Sequence, residues 1–185
     1  MPHPATDTAR VVTPGKVLDP STLPVRFAAA DSDYFAGHPL MVPVDGIAPE
    51  KLRDTYYEGR DGARRHLSQD IRAPRGTPVL AAVDGKILRM SQNTLGGITL
   101  YAVDPEGKYV FYYAHLDHYS DAVTVGLEVK QGEVLGYVGT TGNAPPDTPH
   151  LHFQTMRMAK GRRDWWNGTP IDVLPFMLIR GEQRQ

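Results

Sequence analysis

From Thr77 to Gln154 the chain is a succession of short β-branched and aromatic runs cut by glycine, proline and aspartate. Runs of that length, bounded by turn formers, suit strands and argue against a helical bundle. Composition agrees. The 18 glycines and 16 prolines in 185 residues favour many turns, while 41% hydrophobic and 22% charged residues are ordinary for a packed domain. Thr77–Val83 runs into Asp84-Gly85 and then Lys86–Met90, which predicts a hairpin at the Asp-Gly pair. Gly97–Val103, a turn at Asp104–Gly107 and Tyr109–His115 predict a second hairpin, with Tyr109, Phe111, Tyr113 and His115 sharing one face. Short strands are expected near Val123–Val125 and Glu133–Val138, and a last clear one at His150–Gln154. Residues 89–97 and 140–149 read as irregular. The fold class expected is mainly β, a single antiparallel sheet domain.

The ends of the chain carry weaker signals. Residues 1–39 read as a proline-rich N-terminal arm, 40–180 as the domain and 181–185 as a tail. Leu40–Val44 is the first compact apolar run and is expected at a sheet edge, where Pro43 is tolerated. Residues 48–57 are assigned a short helix, with Pro49 near its start. Pro170–Ile179 is helical or irregular. The net charge of −1 gives no case for a nucleic-acid partner. No run approaches the length of a membrane span, and the first 16 residues hold no apolar core of an export signal. Cysteine is absent, so a thiolate nucleophile and a cysteine zinc site are excluded. Any metal must be held by His, Asp or Glu.

Histidine is where chemistry is offered. His150 and His152 are separated by one residue in a strand, so both imidazoles aim to one face about 7 Å apart. By itself such a pair is better explained by two half-exposed sheet residues. His66 and Asp70 supply zinc-type ligands at a four-residue spacing, and Pro74 and Gly76 place them in a loop entering a strand rather than on a helix. Alone they read as a surface pair. His115 leaves an aromatic strand beside Tyr113, as a base or as a packing residue. The glycines and threonines of Gly139-Thr140-Thr141-Gly142 lack the lysine and strand–helix context of a phosphate loop.

Order joins these pieces. His66-x-x-x-Asp70, Gly76-Thr77-Pro78-Val79, Asp84-Gly85, Tyr113-x-His115-Leu116, the glycine run Gly132 to Gly142 and Pro149-His150-Leu151-His152-Phe153 follow one another. Together, over about residues 40–175, the chain resembles the lysostaphin/LytM-type zinc metallopeptidases, the DD-endopeptidase family that cuts peptidoglycan peptides. The resemblance implies a compact antiparallel sheet crossed by a narrow groove. It implies Zn²⁺ held by His66, Asp70 and His152, with His115 and His150 as the catalytic pair. Two imidazoles and one carboxylate leave such a zinc site at net +1, suited to activating a water and polarising a carbonyl. No Glu stands in an H-E-x-x-H frame, so His115 and His150 are expected to orient the water, take its proton and stabilise the oxyanion. The partners implied are peptidoglycan peptides, and the location is periplasmic or secreted.

One position departs from the family pattern, which has glycine in the middle of H-x-G-x-D. Ser68 stands there, and if its φ were positive it would be strained by about 1–2 kcal/mol. Tyr113, Asn143 and Trp165 are candidate substrate contacts; Trp165-Trp166 equally suits one packed and one exposed ring. His118 is expected to be exposed, and His3 and His38 to have no role. A rival reading is a non-catalytic relative that activates other cell-wall hydrolases. Such relatives lose zinc ligands, whereas this chain has all five residues. An arm over residues 1–39 can restrain activity by covering the groove.

Overall fold

The structure is a computed structural model, and it describes residues 27–59, 65–159 and 165–177. The elements are α1 (Ala29–Gly37), β1 (Gln69–Arg72), β2 (Pro78–Leu80), β3 (Gly85–Asn93), β4 (Gly97–Val103), β5 (Tyr109–Tyr119), β6 (Glu128–Val129), β7 (Val134–Val138), β8 (His150–Arg157), β9 (Thr169–Ile171) and α2 (Leu174–Met177). All pairings are antiparallel. The main path runs β1-β8-β5-β4-β3-β6, with β7 joining β5 to β2 and β9 lying along β8. The mainly β, single-sheet expectation holds.

β5 is the spine because it pairs with β4, β8 and β7. Its aromatic residues Tyr109, Phe111 and Tyr113 are buried with Leu151 and Phe153 of β8, Leu100 of β4 and Val79 of β2. Phe111 and Phe153 stack at 6.2 Å, and Tyr113 tilts onto Phe153 at 5.1 Å. This apolar layer drives the sheet together.

The predicted β4–β5 hairpin is present. Its turn is fixed by Asp104, whose carboxylate accepts the Tyr109 and Glu106 N–H groups, and by Gly107 at φ +69°. The hairpin expected at Asp84-Gly85 is not there: β2 pairs with β7 instead, and β3 pairs with β4 and β6. Gly85 serves close packing, since a Cβ on it would meet the Val103 carbonyl. Asp84 turns away to accept the Gln131 N–H and bind Lys130. The strand expected at Val123–Val125 is absent, and β6 follows at Glu128. Residues 89–97, expected to be irregular, are the second half of β3 and a tight turn in which Asn93 Oδ1 caps the N–H groups of Leu95 and Gly96.

Residues 40–45 do run along a sheet edge. Met41 and Asp45 donate N–H groups to Ala82 and Pro78, and Leu80 donates to Pro43. The helix expected over 48–57 is only a single 3-10 turn, Pro49–Lys51. Of Pro170–Ile179, the described residues up to 177 hold the end of β9 and all of α2. Of the expected arm, the described part from residue 27 carries α1, which packs on the domain. Phe35 touches Tyr109 and Phe176, and buried Asp31 accepts hydrogen bonds from the Tyr109 hydroxyl (2.8 Å), Arg157 (2.6 Å) and Ala28 N–H (2.6 Å).

Two glycines make the tightest crossing. Gly97 (φ +66°) and Gly142 (φ +74°) lie backbone to backbone, and a Cβ on either would run into the other loop. Gly97→Ala is expected to cost roughly 2–4 kcal/mol, from backbone strain plus overpacking. Gly107→Ala, at similar φ but facing open space, is expected to cost about 1–2 kcal/mol. Urea unfolding of the two variants, compared by midpoint at unchanged slope, checks this difference.

Candidate metal centre

The β1–β8 register sets Asp70 opposite His152 and Arg72 opposite His150. Residues directly opposite share a face, so one side of the sheet carries His150, His152 and Asp70 together. His66 arrives from the loop before β1. Its Nε2 lies 2.9 Å from Asp70 Oδ1 and 3.0 Å from His152 Nδ1, and the last two atoms are 3.0 Å apart. The structure thus brings together the three residues expected as ligands.

Backbone carbonyls orient three of the four imidazoles. His66 Nδ1–H donates to Thr55 O, His115 Nδ1–H to Thr141 O and His150 Nδ1–H to Thr148 O, each at 2.8 Å. A carbonyl only accepts, so in the neutral rings Nε2 keeps the lone pair. His66 Nε2 and Asp70 Oδ1 are then two lone-pair atoms in contact, with His152 Nδ1 against both. Such a triangle suits a shared cation: ligands about 2.0–2.1 Å from a zinc stand roughly 3.3 Å apart in a tetrahedron. His150 Nε2 adds a second sign. It is buried without a hydrogen-bond partner and points toward the cluster, 3.9 Å from Asp70 Oδ2. An orphaned buried acceptor is costly unless a ligand completes it. The donor set therefore fits a zinc-type metal.

His115 reaches this face by a break in strand parity. Its φ is +59°, and the β4–β5 register shifts between Ile98 and Leu100. The expected common face of Tyr109, Phe111, Tyr113 and His115 therefore fails at its last member. The first three face the core, while the His115 ring lies 4.9 Å from that of His150 and 5.6 Å from that of His152. The His115 N–H is held by Gly96 O at 2.8 Å. Burial, with smaller contributions from His152 and His150, pushes the His115 pKa down to about 4 against the opposing bond to Thr141. Burial by itself would raise the Asp70 carboxyl, but the His152 and His66 rings beside it outweigh burial and hold the group well below the usual carboxylate range.

A buried polar network braces the ligand loop. The Thr55 hydroxyl accepts the Asp70 N–H at 2.8 Å and faces Ser68 O and Gln69 Oε1 at 3.2 Å. Gln69 Nε2 donates to Asp172, which is fully buried and also accepts the Leu174 N–H. The strain expected at Ser68 is not found. The positive φ in this loop belongs to Leu67 (+51°), whose carbonyl accepts from Gln154 Nε2, and Ser68 is buried with its hydroxyl donating to His66 O.

The candidate substrate contacts fare differently. Tyr113 is 1% exposed on the core side, with its hydroxyl taking the Ala82 N–H, so it does not reach the cluster. The residue on the cluster's face is Tyr112, whose ring lies 6.1 Å from that of His152. Asn143 is exposed at the rim, its N–H bonded to Leu95 O. Trp165 opens a 3-10 turn, and its side chain lies outside the described residues; Trp166 is exposed. His118 is exposed and stacks on Tyr137, His38 stacks on Tyr34, and His3 lies outside the described residues. Sequence reasoning missed Tyr112, Thr55, Gln69, Thr141, Thr148 and Asp172. Strand alternation corrected for the His115 bulge is the one signal that finds Tyr112.

Comparison with known proteins follows the same geometry. The model of Peptidase family M23 matches residues 64–173. The glycyl-glycine endopeptidase ALE-1 of Staphylococcus capitis is 36% identical over 117 residues, which cover 63% of this chain and 30% of that protein. The L-Ala--D-Glu endopeptidase of Bacillus subtilis is 34% identical over 120 residues, 61% of this chain and 36% of that protein. The chain thus spans about a third of the length of these relatives. The solved structure of LytU superposes with a TM-score of 0.57 at 35% identity, covering 68% of this chain and 83% of that one. The matched residues run from the loop before His66 through β9, more than half of the chain, and the chain belongs to Peptidase family M23.

Proposed function

We propose that the chain is a zinc-dependent endopeptidase that hydrolyses peptide bonds of bacterial peptidoglycan. The observation that carries this reading is the triangle of His66 Nε2, Asp70 Oδ1 and His152 Nδ1 with sides of 2.9–3.0 Å, faced by two more histidines. The endopeptidase names of the relatives support it. They do not choose the bond, since one is named for a glycyl-glycine and the other for an L-Ala–D-Glu linkage.

In this reading His66, Asp70 and His152 hold the metal. When bound, zinc supplies Lewis-acid polarisation of the scissile carbonyl and acidifies a water toward neutral pH. The remaining work falls to His115 and His150. Their Nδ1–H groups are committed to Thr141 and Thr148, so Nε2 of each is presented as a proton acceptor. The low pKa of His115 keeps it unprotonated in the resting site. One ring takes a proton from the attacking water; once charged, it donates to the developing oxyanion or the leaving amine. The carbonyl clamps hold both rings before substrate arrives, which removes an ordering cost from the reaction.

The full set of five residues separates this reading from a non-catalytic activator, which is expected to lack ligands. We assign the domain to residues 40–180 and place Asn143 on the substrate's path. An enzyme with this substrate works in the periplasm or outside the cell. Among the described residues no helix is long and apolar enough to cross a membrane.

Two variants divide the roles. His152→Ala is expected to lose stoichiometric zinc and all turnover. His115→Ala is expected to keep zinc while turnover falls by about 10²–10⁴-fold. Digestion of purified peptidoglycan, with products read by mass spectrometry and zinc by elemental analysis, checks both. Peptidoglycan left intact by the zinc-loaded wild type would overturn the proposal. Chelation is expected to abolish turnover, and added zinc to restore it.

A further inference from the structure

The face that carries the metal cluster continues across the sheet. The register sets Gln154 of β8 opposite Tyr112 of β5, Tyr112 opposite Tyr101 of β4, and Tyr101 opposite Arg89 of β3. These four side chains form a row beside that of Asp70, His152 and Ala114. The row is continuous. The Tyr112 ring lies 6.1 Å from that of His152, the Tyr101 and Tyr112 rings are 4.5 Å apart, and Arg89 acts electrostatically on Tyr101. On the opposite side of the cluster, Arg72 of β1 stands across from His150.

Both arginines are exposed, and neither has a carboxylate partner among the described residues. Several other cations are already paired with carboxylates. Arg75 pairs with Asp117, Arg157 with Asp31, Lys108 with Glu106 and Lys130 with Asp84. Among the described residues of β1, β8, β5, β4 and β3 in these two rows, the carboxylate is Asp70, which lies against His66 and His152. Three strand spacings put the Arg89 backbone roughly 14 Å from that of Gln154, two residues along β8 from His152, and roughly 16 Å from His152 itself, a distance an extended peptide covers in about five residues. Arg72 lies one strand spacing from His150.

We propose that Arg72 and Arg89 are carboxylate-binding residues bracketing the cluster, and that they make acidic peptides the preferred substrate over neutral ones. Arg suits this task because its planar fork donates two parallel hydrogen bonds to a carboxylate. The tyrosine row between cluster and Arg89 gives an apolar floor with hydroxyls along its edge, against which an extended peptide can lie. The inference rests on the endopeptidase reading for its rate effects, but not for its binding effects.

The test uses zinc-loaded full chain and pairs of peptides of one sequence, with side-chain carboxylates free or amidated. Cleavage is followed by mass spectrometry and affinity by fluorescence anisotropy of labelled peptide. The free-acid form is expected to be favoured about tenfold or more in both kcat/KM and affinity. The preference is expected to fall with rising salt. In Arg89→Gln and Arg72→Gln it is expected to collapse toward one, with zinc content unchanged; Arg89→Lys is expected to restore part of it. Equal binding of the two forms by the wild type, or a preference that survives in the double variant, would overturn the inference. If the wild type cuts no peptide yet still prefers the acid form in binding, the endopeptidase reading fails while the inference stands.

Discussion

The pairing of β1 with β8 decides whether this protein has a site at all. A slip of one residue would turn His150 and His152 into the core and deliver Leu151 and Phe153 to the cluster's face. What prevents the slip is on the other side of the sheet. Leu151 and Phe153 are fully buried, Ile71 nearly so, and Tyr113 packs against Phe153 from β5. Apolar burial on one face thus holds the polar geometry of the other. His66, Asp70 and His152 need no strong interaction of their own to stay in register, which leaves their geometry to be set by the task of the site.

Orientation of the imidazoles is a separate problem, and main chain solves it. Thr55, Thr141 and Thr148 each lend a carbonyl to an Nδ1–H. A carbonyl neither titrates nor changes rotamer, so the tautomer is built in by the path of three loops. The crossing of Gly97 and Gly142 belongs to the same device, since it brings the Thr141 carbonyl to the ring of His115 and the Gly96 carbonyl to its N–H. Among the described residues, the two with positive φ that are not glycine are Leu67, in the loop before β1, and His115, the histidine proposed to be catalytic. Backbone strain in this molecule is concentrated where function is read.

Much of this was legible in the sequence, and the limits have physical reasons. Strand parity alone put His150 and His152 on one face, and Pro74 and Gly76 kept His66 and Asp70 off a helix. The same parity misled at Tyr113, because the bulge at His115 reverses the count and leaves Tyr112 on the face of His152. Asp84-Gly85 looked like a hairpin, but the glycine answers to the Val103 carbonyl, a contact no local pattern encodes. The Thr55–Gln69–Asp172 network was invisible for the same reason. Its members are separated by as many as 103 residues and meet only once β9 lies beside β8. Local turn chemistry and alternation are written in the chain; long-range carbonyl clamps and buried relays are not.

The anchoring of α1 has a consequence of reach. Asp31 ties the helix to Tyr109 and Arg157, the ends of β5 and β8 that lie farthest from His115 and His150. From Tyr109 to His115 is six residues of strand, roughly 20 Å. The chain therefore enters α1 at the end of the sheet remote from the histidines. Any upstream segment that covers the histidines must first span that distance, at least about six residues fully extended. A shorter leash leaves the histidine cluster open by geometry alone, whatever its sequence.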